Sequence, residues 1–178
     1  YKIGLNGLSA LSNTDKMRIR VAKGIDEYKP IMQTEAMQKG HDFEDWFAEE
    51  FSEEMIGTTR EYRVEPDARL AVNFKVFAHA DFFNIKMKSA IELKCVSNID
   101  TVQDDYMAQL QWYYMLGCRR VGLVICDSRF HYFAGGLKDA IKIDPNENYI
   151  KTLLHGIKLL DDNWDDLDLK IGDEWDES

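Results

Sequence analysis

Apolar residues recur every four positions at Phe43, Phe47, Phe51 and Met55, and Met37, Trp46 and Ala48 widen the stripe. That period belongs to an amphipathic helix, and Thr34 suits its start, so the pattern predicts a long helix over 34–55. An earlier helix is expected over 9–23, carrying basic Lys16, Arg18, Arg20 and Lys23 and stopped by Gly24. Val102, Tyr106, Leu110 and Tyr113 share one face of a third helix over 101–116, which Gly117 ends. A closing helix is expected from Asn146 to about Asp166. Between the second and third helices lie four short runs rich in Val, Ile, Phe and Ala, at 60–64, 70–77, 80–85 and 89–96. They predict four consecutive strands in an antiparallel meander. Residues 120–126 read as a buried strand and 131–135 as another. The expected fold is therefore α/β: a central mixed sheet, made of a meander plus a further strand reached through a helix, with helices flanking it.

Neither a repeat nor a Pro/Ser-rich linker divides the 178 residues, so a single domain over 1–178 is expected. The net charge of −10 argues against nucleic-acid binding until its location is considered, because phosphate neutralisation by Lys and Arg supplies most affinity for DNA. Nine acids against Lys170 place −8 of that charge in a C-terminal tail over 161–178. The body is close to neutral and has room for a local basic groove. Cys95, Cys118 and Cys126 are odd in number and match no disulfide, zinc or iron–sulfur spacing, which points to free thiols in a reducing compartment. No apolar run is long enough to span a bilayer, and the opening residues show no basic-then-apolar leader. A cytoplasmic protein with no membrane partner is expected, in the host cell if the chain is viral.

The chemistry concentrates in His79-Ala-Asp-Phe-Phe and Ile91-Glu-Leu-Lys-Cys, where Asp81, Glu92 and Lys94 interrupt apolar strands. Charges there are costly unless they are paired or bind metal. Residues opposite one another on antiparallel strands share a face, so any even, unbulged loop around 86–89 puts Asp81 with Glu92 and Lys94. A two-residue loop sets Asp81 against Glu92; a four-residue loop sets it against Lys94. Two carboxylates with open positions suit Mg²⁺, and a neighbouring Lys can orient the attacking water or stabilise developing phosphorane charge. An isolated Glu-x-Lys, by contrast, is ordinarily a surface ion pair. Glu44 lies at the margin of the 34–55 helix's buried stripe, with Gly40 one turn earlier leaving space for another group. Gln109 shares a helix face with Tyr113 and Tyr106, whereas Gln111 points elsewhere. His41, His79, His131 and His155 form no ligand spacing.

The order Gly40-x-x-x-Glu44, Asp81, Glu92-Leu-Lys94, Gln109-x-x-x-Tyr113 resembles the PD-(D/E)xK nuclease superfamily in its RecB-like branch. Tyr106-Met-Ala-Gln-Leu-Gln and Glu92-Leu-Lys-Cys95 are similar to the lambda-exonuclease-like viral recombinase (YqaJ-type) family, and the ending Ile171-Gly-Asp-Glu-Trp175 resembles it too. The resemblance implies a restriction-endonuclease-like core and a Mg²⁺-dependent exonuclease, with Mn²⁺ able to substitute, degrading one strand of duplex DNA from a free 5′ end. It implies that Asp81, Glu92 and the Leu93 carbonyl hold metal, that Lys94 serves the water, and that Glu44 and Gln109 complete the catalytic site. A single-strand annealing protein as partner and a ring-shaped homotrimer are further implications. Ala80 and Phe82 stand where the family has Pro and Gly around the first Asp. Ser9, Arg18 and Arg20 are the candidates for a 5′-phosphate pocket. Two other readings use the same residues: a structure-specific or restriction-like endonuclease, and a nuclease-derived DNA- or protein-binding module.

Overall fold

In a computed structural model that describes residues 1–68, 70–127 and 140–167, five strands form one mixed sheet in the order β1-β2-β3-β4-β5. The strands are β1 (Thr58–Val64), β2 (Ala78–Asn84), β3 (Ser89–Val96), β4 (Arg120–Asp127) and β5 (Ile141–Ile143). Antiparallel pairing joins β1 to β2, β2 to β3 and β4 to β5, and β3 pairs with β4 in parallel. The parallel pair needs a crossover, which the helices between β3 and β4 supply. The α/β class and the mixed sheet flanked by helices are as expected from the sequence.

The described chain forms two compact units, one over 1–31, 70–76 and 147–167 and the other over 32–68, 77–127 and 140–146. The sheet belongs to the second, together with α3 (Glu35–Glu50), α4 (Val102–Asp105) and α5 (Met107–Met115). Thr34 caps α3, its side-chain oxygen accepting from the Met37 amide at 3.2 Å. Phe43 and Phe47, both fully buried, pack with Phe82, Ile91, Leu93, Val124 and Cys126 of the sheet. Because Phe82 and Ile91 face each other, this fixes which side of β2 and β3 meets α3. Met37 is exposed rather than part of the stripe. Helix α3 ends at Glu50, and turns carry the chain through buried Met55 to Gly57, whose φ of 85° suits glycine at the entry to β1.

In the first unit are α1 (Lys2–Asn6), α2 (Asn13–Ala22) and α6 (Glu147–Asp162). A capping box between Ser12 and Asp15 starts α2, so the helix expected over 9–23 begins later, after a 3₁₀ turn at Leu8–Ala10. Leu11, Ile19 and Leu167 form a small core with Ile3, Leu8, Leu160 and Trp164 around it. A Cβ on Gly4 would lie 2.0 Å from the Thr152 carbonyl oxygen, so α1 approaches α6 only because residue 4 has no side chain. Gly4→Ala is expected to cost about 1–3 kcal/mol. An unchanged melting temperature in that variant would contradict the close approach.

The strand expected over 70–77 is not formed; β2 begins only at Ala78. Residues 70–76 run in bends, with the Asn73 amide donating to Asp161 at 2.7 Å and Phe74 packed on Trp164. Alternating apolar residues here find individual packing sites and no strand partner, so the meander has three strands. The 101–116 helix is two, broken at Tyr106, and β5 went unexpected. The strand expected over 131–135, most of the acidic tail and the 171–175 motif lie outside the described residues. No helix among the described residues is long and apolar enough to cross a membrane.

Candidate active site

Strands β2 and β3 pair at Asn84 with Ser89, Phe83 with Ala90, and Phe82 with Ile91. Continuing that register sets Asp81 opposite Glu92 across a four-residue turn over 85–88. The expectation that a four-residue loop would bring Asp81 to Lys94 is thereby corrected: the turn begins one residue earlier, at Ile85, and recovers the Glu92 pairing. The ladder itself stops at Phe82 and Ile91, and beyond it the Asp81 carboxylate accepts from the Leu93 amide at 2.7 Å. On the other side of β2, pairing with β1 skips Glu61, the residue across from Asp81, whose φ is 53°. A non-glycine in the left-handed region is a local cost of about 1 kcal/mol or more, and such costs gather at functional sites. Asp81 is thus released from both ladders.

Glu92 is 2% exposed and accepts from three donors. Its Oε1 accepts from Lys94 Nζ at 2.7 Å and from Gln109 Nε2 at 2.6 Å, and its Oε2 accepts from the Tyr113 hydroxyl at 2.6 Å. Gln109 and Tyr113 reach it from one face of α5, as their spacing of four requires. Burial, then the Glu92 charge, push the Tyr113 hydroxyl far above its ordinary range, so it remains a donor at any physiological pH. Gln111 turns away: it donates to the Asp144 carbonyl at 2.9 Å and accepts from the Asn146 amide at 2.8 Å.

Glu44 sits on α3 with its side chain 16% exposed, flanked by Arg60 Nη2 at 3.7 Å and His41 Nδ1 at 3.9 Å. No hydrogen bond joins it to Asp81 or Glu92 among the described residues, but the three carboxylates influence one another through charge. Burial raises the Glu44 pKa, with Glu92 adding to the rise and His41 and Arg60 opposing it. Burial, the Glu92 charge and the Glu44 charge push Asp81 up to about 7 against the Leu93 amide and Lys94. Arg60, which the sequence reading did not single out, pairs with Asp45 at 2.6 Å and bridges toward Glu44. Its signal was only a cation on a strand, a common feature of exposed strand faces. A Cβ at Gly40 would meet open space, so the close approach expected there is not found. His79 is exposed and only its carbonyl takes part, accepting from Tyr113 at 2.9 Å. Of the phosphate-pocket candidates, Arg20 is engaged in a two-pronged pair with Asp26, and Ser9 donates to the Asn6 carbonyl.

The residues suit a hard divalent cation. Three mutually repelling carboxylates lie near one ammonium that is hydrogen-bonded to Glu92, and Asp81 Oδ1 has no protein donor among the described residues. No group of three His, Cys, Asp or Glu side chains among those residues closes on a point, so a cage made of protein alone is absent there. The donor type, one or two carboxylates with the other positions left to water and phosphate oxygens, is the one Mg²⁺ takes.

Fold and site together define a mixed α/β core with a carboxylate pair and a lysine gathered at the β2–β3 strands. The same fold occurs in the crystal structure of a phage-related exonuclease from Haemophilus somnus 129PT, with a TM-score of 0.53 and 14% identity over 92% of this chain and 86% of that one. At that identity the likeness is one of fold. No protein-family model matches the chain, and no curated protein does.

Proposed function

We propose that this chain is a metal-dependent deoxyribonuclease, an exonuclease that hydrolyses linear duplex DNA from an end, in the 5′-to-3′ direction and in phage-type recombination. The observation that carries the reading is the buried Glu92 bonded at once to Lys94, Gln109 and Tyr113, across the strand pair from Asp81. Fold likeness to a phage-related exonuclease supports it. Asp81, Glu92 and, by the family resemblance, the Leu93 carbonyl would hold Mg²⁺ or Mn²⁺. Bound there, the metal supplies Lewis-acid stabilisation of the phosphoryl oxygens and a water of lowered pKa. Lys94 orients that water and offsets charge developing on phosphorus. Gln109 and Tyr113 hold Glu92 so that one carboxylate lone pair remains to face the site. Glu44 completes the negative wall. Lysines and arginines of the near-neutral body would meet the phosphates. The family resemblance adds a single-strand annealing partner and a homotrimer, and the free cysteines a cytoplasmic setting.

The test is digestion of end-labelled linear duplex beside closed circular DNA. With Mg²⁺ or Mn²⁺, linear DNA should be degraded from its 5′ ends and circular DNA left intact; Ca²⁺, with its looser and higher coordination, should not support cleavage. Robust digestion in EDTA would end the metal reading. Cleavage of the circle would favour an endonuclease, and DNA binding without any cleavage would favour a binding module.

A further inference from the structure

Lys94 Nζ has two neighbours of opposite kind. On one side is Glu92 Oε1 at 2.7 Å; on the other, the Tyr106 ring, whose centroid lies 4.5 Å away. The Lys94 side chain is 18% exposed, so little water competes for the ammonium, and a ring face at this distance attracts a cation through its quadrupole. The backbone explains how the ring comes to be there. Tyr106 is where α4 ends and α5 begins, at φ −104° and ψ 9°, outside helical geometry. It precedes Gln109 by three residues and Tyr113 by seven, so one helical face delivers two donors to Glu92 and an aromatic face to Lys94. Glu92 already holds the ammonium at full hydrogen-bond distance. The ring gives it a second attraction with no hydrogen-bond acceptor, leaving N–H groups of the ammonium free to point elsewhere. The rest of Tyr106 lines a groove with Thr34, Lys39, Cys95 and Ser97.

We infer that Tyr106 is a positioning residue for Lys94: its ring face holds the ammonium where Lys94 serves the attacking water. The inference rests on the nuclease reading for its consequence and on the ring–ammonium geometry for its cause. A competing role exists, because a ring lining a groove beside a nuclease site can also stack on a nucleotide base. The two roles divide between turnover and binding.

Steady-state cleavage of linear duplex by the full chain with Mg²⁺ separates them. Tyr106→Leu should lower kcat about 5- to 30-fold with KM within about twofold of wild type, and Tyr106→Phe, which keeps the ring face, should retain kcat within about twofold. A raised KM with unchanged kcat would overturn the inference in favour of base stacking. A Phe variant as impaired as the Leu variant would overturn it by assigning the effect to the hydroxyl. NMR supplies a readout that needs neither cleavage nor the Leu variant's stability: the Lys94 Hε protons should be shifted upfield by the ring in wild type and in Tyr106→Phe. Their appearance at ordinary positions in wild type would sink the inference. The upfield shift in a chain that cleaves no DNA would uphold the contact and remove the nuclease reading instead.

Discussion

Replacing Lys94 with alanine is expected to lower the cleavage rate by about two orders of magnitude or more while DNA affinity, measured with Ca²⁺ in place of Mg²⁺, stays near that of wild type. The reason is local. Lys94 is the ammonium hydrogen-bonded to Glu92, and neither Asp81 nor Glu92 is altered by its removal. Glu92 loses one of three donors but keeps Gln109 and Tyr113, so the carboxylate remains bonded in its buried position. The fold should persist with a loss of about 1–3 kcal/mol, the range for weakening a buried charged hydrogen bond. Cleavage rate, affinity and melting temperature measured together decide the matter. A folded Lys94→Ala protein that cleaves at near-normal rate would remove the role assigned to this residue.

Asp81→Asn should abolish cleavage and, in metal-free protein, raise stability in a pH-dependent way. Asp81 in the folded chain is pushed up to about 7, first by burial and then by the charge of Glu92. The unfolded chain ionises near the ordinary Asp value of about 4. Between those values the native state holds a proton that the unfolded state has lost, so stability falls as pH rises from about 4 through about 7. Asparagine cannot ionise and still accepts the Leu93 amide through its side-chain oxygen. Its advantage over wild type should therefore be small at pH 4 and grow to about 4 kcal/mol at pH 8 in EDTA, on the order of ten degrees of melting temperature for a chain of this length. Mg²⁺ should stabilise wild type at pH 8 and leave the variant unmoved, since the cation offsets the repulsion only where the carboxylate exists. A melting-temperature difference that does not change between pH 5 and pH 8 would show that burial and the Glu92 charge do not raise Asp81 as described.

Much of this arrangement is legible without coordinates. Helix α3 follows from Phe43 and Phe47 at a period that only a helix places on one side, and Thr34 marks its start because a hydroxyl there satisfies a free amide. Glu44 is placed correctly at the margin of that stripe for the same reason. Strand β3 is readable to the residue, since Ser89–Val96 has few alternatives in so apolar a run. The convergence of Gln109 and Tyr113 is also local arithmetic on a helix, and parity brings Asp81 to the side of Glu92 for any even turn.

Other features answer to partners distant in sequence. Residues 70–76 have a strand's alternation, yet strand formation requires a neighbouring edge, and these residues instead meet Asp161 and Trp164 near the other end of the chain. The ladder gaps on either side of Asp81, where its carboxylate takes the Leu93 amide and where Glu61 turns left-handed, are encoded by no period. Arg60 reaches Asp45 and Glu44 because β1 is an edge strand on β2, a fact of sheet order. The break at Tyr106 is a departure of the backbone from helical geometry that the apolar period across 102–113 does not announce. Sequence alone determined the helices and strands whose periodicity is self-contained, and with them the face on which each ionisable residue falls. Tertiary structure alone decided which of those residues are buried against one another, because desolvation and charge coupling depend on distance through space and not along the chain.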